Sequence, residues 1–150
     1  MIYRDRLAHQ MSSEQKRDRM LSTIASGTPV GLLAYADGEP VGWCSVAPRE
    51  TFPKLQRSRA MPTGEAQPAW NVTCFFVKRT SRGAGITRRL LQAAIDYARD
   101  NGAMAVEGYP WDTSANHSRF KGHSSIFRDL GFQQDGTRWY LALRGGENGG

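Results

Sequence analysis

The stretch from Trp70 to Ala98 constrains the fold more than any other part of the chain. Trp70–Val77 (WNVTCFFV) is aromatic and β-branched with no charge, the composition of a strand. Lys78–Gly85 is a basic turn carrying Gly83 and Gly85. From about Gly83 a long helix is expected, because Ile86, Leu90, Leu91, Ala94, Ile95 and Ala98 recur at helical spacing. Asn101-Gly102 ends that helix, and Ala103–Tyr109 reads as the next strand, stopped by Pro110. Strand, helix, strand implies a parallel pair joined by a right-handed crossover.

The flanking segments extend this unit into a mixed sheet. Residues 12–26 read as a helix with Ser13 as its cap and Met20, Leu21 and Ile24 as its apolar stripe, ended by Gly27-Thr28-Pro29. Val30–Tyr35 and Val41–Val46 flank Asp37-Gly38, a hairpin signal. Residues 47–69 hold four prolines, Pro48, Pro53, Pro62 and Pro68, which exclude one long helix or strand and leave room for a short helix at Pro53–Arg57. Loops of this length often shape binding sites. A short helix at Ser124–Leu130 closes on Gly131, and Phe132–Asp135 with Thr137–Leu143 forms a last hairpin. The fold class is therefore α/β, or α+β with a mixed sheet flanked by helices. Residues 1–144 are expected to form one domain and 145–150 a flexible glycine-rich tail.

Composition limits the partners. The chain has 150 residues, enough for one core, and a net charge of +6, which favours anionic ligands. No run approaches the ~20 apolar residues of a membrane span, and the first ten residues lack the apolar region of a signal peptide. A cytoplasmic location is expected. Cys44 and Cys74 lie in apolar strands, read as reduced thiols, and fit no zinc spacing. No metal is expected. Nor is nucleic acid, since no helix-turn-helix, zinc or RNA-binding aromatic motif accompanies the charge.

A helix that opens after a glycine turn presents unsatisfied N–H groups and a dipole to anions. Lys78, Arg79, Arg82, Arg88 and Arg89 add positive charge there. A Walker A loop is excluded, since no Gly-Lys-Ser/Thr occurs, and the dinucleotide fingerprint fails because Arg88 stands where its last glycine belongs. The run Arg82-Gly83-Ala84-Gly85-Ile86-Thr87 fits a third pattern, Q/R-x-x-G-x-G/A, with Thr87 departing at its last position. Together with Phe127-Arg128-Asp129-Leu130-Gly131-Phe132 and the strand order, it resembles the Gcn5-related N-acetyltransferase (GNAT) superfamily over about residues 30–143.

That resemblance implies a function. Acetyl-CoA would be the co-substrate and a primary amine the acceptor, with direct attack in a ternary complex. The backbone of Phe75, Phe76 and Val77 would pair with the pantetheine arm. N–H groups from Gly83, Ala84, Gly85, Ile86, Thr87 and Arg88 would hold the pyrophosphate, with Arg82 facing its charge. A backbone N–H would stabilise the oxyanion. An amine of ordinary pKa about 10.4 needs a base, whereas a thiolate of pKa near 8.5 leaves with little assistance. The family's usual tyrosine acid falls at Phe127, whose ring has no proton to give.

Replacements come from the strand at 103–109, where Glu107 and Tyr109 are two apart and share a face. Glu107 in an apolar strand needs a partner whatever its role, and Tyr109 is either functional or a strand-end aromatic. His123 is a base or a helix-start residue; Cys74 is a nucleophile or an inert strand thiol. Arg49, Trp70 and Trp111 line the acceptor pocket or belong to loop and core. On this resemblance the family's first strand is reduced to Met1-Ile2-Tyr3 or missing, so an open edge and a homodimer are expected. A non-catalytic acyl-CoA-binding subunit is the alternative reading.

Overall fold

A computed structural model describes residues 11–110 and 124–143. Met1–Tyr3, Trp111, His123 and the 145–150 tail lie outside the described residues. The elements run α1 (Ser13–Ala25), β1 (Leu32–Ala36), β2 (Glu39–Pro48), α2 (Pro53–Arg57), β3 (Ala69–Val77), α3 (Ile86–Asp100), β4 (Ala105–Gly108), α4 (Ser124–Asp129), β5 (Gln133–Asp135) and β6 (Arg138–Ala142). The strands form one six-stranded sheet in the order β1-β2-β3-β4-β6-β5. β3 and β4 are its parallel pair, and α3 is the crossover between them. The fold class, a mixed sheet flanked by helices, is as the sequence implies.

Helices α3 and α4 lie on one face. Leu90, Leu91, Ala94, Ile95 and Ala98 of α3 and Phe127 of α4 share a core with Cys44, Val46, Trp70, Val72, Phe75 and Val106. The opposite face carries a smaller cluster of Ala47, Phe52, Leu55 and Tyr109, covered by α2 and the loop after it. Phe127 is 1% exposed. A Cβ added at Gly108 would meet its Cε1 at 2.6 Å and its Cζ at 3.0 Å. Gly108→Ala is therefore expected to destabilise the fold by about 1–3 kcal/mol, read as a lower Tm.

Three local expectations are corrected. Ser12, not Ser13, caps α1: its hydroxyl accepts from the Gln15 N–H, and the Gln15 side chain accepts from the Ser12 N–H. The Met20, Leu21 and Ile24 stripe is not buried; α1 buries none of its residues, and Leu21 and Ile24 are exposed. The long helix begins at Ile86 rather than about Gly83, because Gly83 (φ 86°) and Gly85 (φ 74°) both take left-handed backbone that a helix cannot use.

A bulge in β3 decides which side chains meet. Ser45 pairs with Cys74 and Val46 with Val72, so Thr73 is an extra residue on β3. Trp70 and Val72 face α3 and, past the bulge, so does Phe75. Asn71 therefore points to the opposite face, beside its register partner Glu107 on β4.

Candidate active site

The parallel pair is short. Its last registered residues are Val72 and Gly108, and among the described residues β3 continues through Val77 without a partner on its β4 side. That edge, with Phe75, Phe76 and Val77 on it, offers unpaired backbone groups to an extended ligand. Phe75 keeps its ring in the core, whereas Phe76 is 47% exposed. The Val77 carbonyl also accepts from Arg82 Nε at 3.2 Å, which draws the turn back onto the strand end.

Beyond the strand end lies a cavity of about 300 Å³, lined by Val77, Arg82, Gly83, Gly85, Ile86, Thr87, Arg88 and Ile126. It sits at the N-terminus of α3, where the first-turn N–H groups have no carbonyl to bind. Gly85 is the cap residue and brings no side chain to fill those positions. Arg88 is paired with Asp129 of α4 at 2.8 Å, and half of each side chain is exposed. The pair fastens the wall of the cavity more than it adds stability, as exposed ion pairs contribute little. Ala84 is exposed in the same turn. Of the residues the sequence pointed to for anion binding, Arg82, Gly83, Gly85, Ile86, Thr87 and Arg88 line this cavity, and Ala84, Lys78, Arg79 and Arg89 do not.

A buried polar cluster occupies the other face. Glu107 is 0% exposed and Tyr109 8%. Thr63 Oγ1 donates to Glu107 Oε1 at 2.6 Å, and Gln67 Nε2 donates to Thr63 Oγ1 at 2.9 Å. Arg49 Nη1 donates to the Tyr109 hydroxyl at 2.7 Å and lies 4.0 Å from Glu107 Oε2. Arg49 Nη2 donates to the carbonyls of Leu55 and Met61 at 2.7 and 2.6 Å. The Tyr109 hydroxyl donates to the Pro62 carbonyl at 2.6 Å. Arg49 and Tyr109 thereby pin the loop after α2 over Glu107. A cavity of about 400 Å³ opens beside Tyr109, lined also by Met61, Ser124, Arg128, Thr137 and Trp139.

Burial raises the Tyr109 pKa above the ordinary phenol value; the Arg49 hydrogen bond and charge and a hydrogen bond from the Asn71 side chain oppose this, and the Glu107 charge adds to it. Tyr109 is a neutral phenol at physiological pH. The stability linked to its proton is fully present below pH ~10 and falls as pH rises through the folded-state pKa. Tyr109→Phe is expected to abolish that alkaline loss in denaturant melts at increasing pH. Cys44 is fully buried, and burial, aided by the Cys74 charge, pushes its thiol far up. Neither cysteine forms a disulfide.

Trp70 is a core residue, edge-on to Tyr97 of α3 at 5.4 Å, and takes no part in the polar cluster. Sequence reasoning missed Asn71 and Thr63. Asn71 is 0% exposed, and its carboxamide acts on the Tyr109 hydroxyl. An asparagine in an otherwise apolar strand was the available signal.

A family model described as the acetyltransferase (GNAT) family matches residues 3–118. The chain belongs to the GNAT family. No curated protein matches the sequence significantly. Solved structures share the fold at low identity. A GNAT acetyltransferase from Brucella melitensis in complex with acetyl-CoA is 16% identical, with TM-score 0.54, over 89% of this chain and 71% of its own. The ribosomal-protein-alanine N-acetyltransferase of the same organism is 21% identical, with TM-score 0.57, over 89% and 80%. An aminoglycoside 6'-N-acetyltransferase from Acinetobacter haemolyticus is 18% identical, with TM-score 0.56, over 89% and 83%. Membership in the GNAT family supports general acetyl transfer, and these solved structures show the shared fold.

Proposed function

We propose that this GNAT protein transfers an acetyl group from acetyl-CoA to a primary amine by direct attack within a ternary complex. The observation that carries the reading is the unpaired edge of β3 beyond Val72, which leads from the buried polar cluster to the cavity at the α3 N-terminus. The pantetheine arm would extend β3 along Phe75–Val77. The pyrophosphate would take the N–H groups of the Gly83–Arg88 turn. The thioester would then lie where β3 and β4 part, within reach of the face that bears Glu107 and Tyr109.

In the reaction the amine nitrogen attacks the thioester carbonyl carbon. A C–N bond forms, the C–S bond breaks, and coenzyme A leaves with the electron pair on sulfur. The proton lost by nitrogen passes to the Glu107 carboxylate, through the oxygen that Thr63 leaves unengaged. Phe127 offers no acid, so the thiolate leaves on its own low basicity or with the proton of the Tyr109 phenol. Steady-state release of free thiol from acetyl-CoA, dependent on added amine, tests the reading. Acetyl-CoA binding without amine-dependent thiol release would instead favour an acyl-CoA-binding subunit, the role suggested by the sealed Phe127 ring.

A homodimer is part of the proposal. β1 is an edge strand, and its Leu33 and Tyr35 are exposed. A concentration-independent monomer mass in light scattering would count against it.

A further inference from the structure

Helix α4 stands between the two cavities. Its Ile126 lines the cavity at the α3 N-terminus, and its Asp129 holds Arg88 there. Ser124 and Arg128, four residues apart, share another side of the helix and line the cavity beside Tyr109. That cavity, of about 400 Å³, is of a size that takes a small molecule. It opens at the end of β4, since Tyr109 follows Gly108, the last β4 residue in register with β3. One residue along a strand is ~3.3 Å. A molecule in this cavity therefore lies within reach of the place where the proposed thioester would be, and it touches the cluster that holds Glu107.

The charge on its walls is one-sided. Among the described residues that line the cavity, only Arg128 is charged. Behind Tyr109, Arg49 and Glu107 lie 4.0 Å apart and offset each other's charge. The neighbouring acids are engaged elsewhere: Asp129 with Arg88 at 2.8 Å, and Asp135 with Arg138 at 3.2 Å. Among the described residues Arg128 has no ion pair. Its guanidinium instead lies over the Trp139 ring, 5.4 Å from the centroid, and Trp139 is buried. Stacking on an aromatic face fixes the plane of a guanidinium. It leaves the N–H edge free to hold an anion through two parallel hydrogen bonds. The sign also suits the reaction. A cation near the amine disfavours its protonated form, and the neutral amine is the nucleophile. The same cation repels an acceptor that carries a second ammonium group.

We propose that the acceptor is a small molecule carrying an oxyanion, a carboxylate or a phosphate, as well as its amine, and that Arg128 binds the oxyanion while the amine meets the thioester at the end of β4. This rests on the acetyltransferase reading above and narrows its acceptor from primary amines in general to anionic ones. Arg128 is thus a specificity-determining residue, and Trp139 holds it in place.

The test compares ω-amino acids of increasing chain length with the ω-amino amides and diamines of the same length, at equal concentrations of neutral amine and with saturating acetyl-CoA. Aminoalkyl phosphates run beside them, and the faster anionic series identifies the oxyanion. At the best length the expected kcat/KM of the anionic amine is about tenfold or more above that of the amide, and the diamine is slowest. In Arg128→Gln that preference is expected to collapse toward one, with the KM for acetyl-CoA retained. In Arg128→Glu the order is expected to invert in favour of the diamine. Arg128→Lys keeps the charge without the planar fork and is expected to keep part of the preference. Equal rates on acid, phosphate and amide at every length, or a preference for anions that survives in both Arg128→Gln and Arg128→Glu, would overturn the proposal. So would Arg128 variants that melt lower and lose all acceptors in proportion, which would make the residue a support for Trp139. Acetyl-CoA binding with no turnover of any of these amines overturns this acceptor assignment alone. Failure to bind acetyl-CoA overturns the reading on which it rests.

Discussion

Gly85→Val is expected to remove acetyl-CoA binding, raising its Kd by at least about 100-fold. Gly85 caps α3 at φ 74°, and a β-branched residue is a genuine outlier there. Forcing valine into that backbone costs about 1–3 kcal/mol, or the turn relaxes and its N–H groups no longer converge. Space is not the objection, since a Cβ added at Gly85 meets nothing within 4 Å. The contrast with Gly85→Asn is therefore informative. Asparagine tolerates left-handed backbone, so that variant should keep its Tm. Its side chain still intrudes where a phosphate would approach, so it should bind acetyl-CoA more weakly. Thermal melts and a titration of each variant with acetyl-CoA check both halves. Native-like binding by the valine variant would show that the turn is only a connector.

Glu107→Gln is expected to lower kcat by about 10²–10⁴-fold, the range for loss of a positioned general base. The substitution keeps the shape of the side chain and an oxygen for the Thr63 hydroxyl. It removes the charge that lies 4.0 Å from Arg49. Arg49 retains the Tyr109 hydroxyl and two carbonyls, so the fold should survive with reduced stability. The affinity for acetyl-CoA should not change, because Glu107 lies on the face opposite α3 and its N-terminal cavity. A loss of less than tenfold would assign the proton transfer elsewhere.

Much of this arrangement was legible in the sequence because it rests on local pattern. Residues 70–109 combine a charge-free apolar strand, a glycine turn and a helical stripe, each set by short-range physics. The two-residue spacing of Glu107 and Tyr109 placed them on one face, and both entered the same polar cluster. What was not legible depends on long-range register. The extra residue at Thr73 resets the alternation of β3, so that Trp70 and Phe75 both face α3 while Asn71 faces Glu107. No local signal marks that bulge. The cover over Glu107 is equally non-local: Thr63 reaches across from the proline-rich loop, and Arg49 anchors that loop through carbonyls while facing Glu107. The stripe of α1 failed for a related reason. Periodicity shows which face a helix would bury, not whether a partner surface is there, and α1 buries none of its residues.

Thermal unfolding with and without acetyl-CoA, beside an ADP control, tests the central claim most directly. At about 100 times its Kd, a ligand specific for the native state stabilises it by ~2.7 kcal/mol, a Tm shift of about 5–10 °C for a chain of this size. The account predicts a shift in that range with acetyl-CoA and a smaller one with ADP, which lacks the pantetheine arm that would pair with β3. Equal shifts with the two ligands, or none at millimolar concentration, would contradict it.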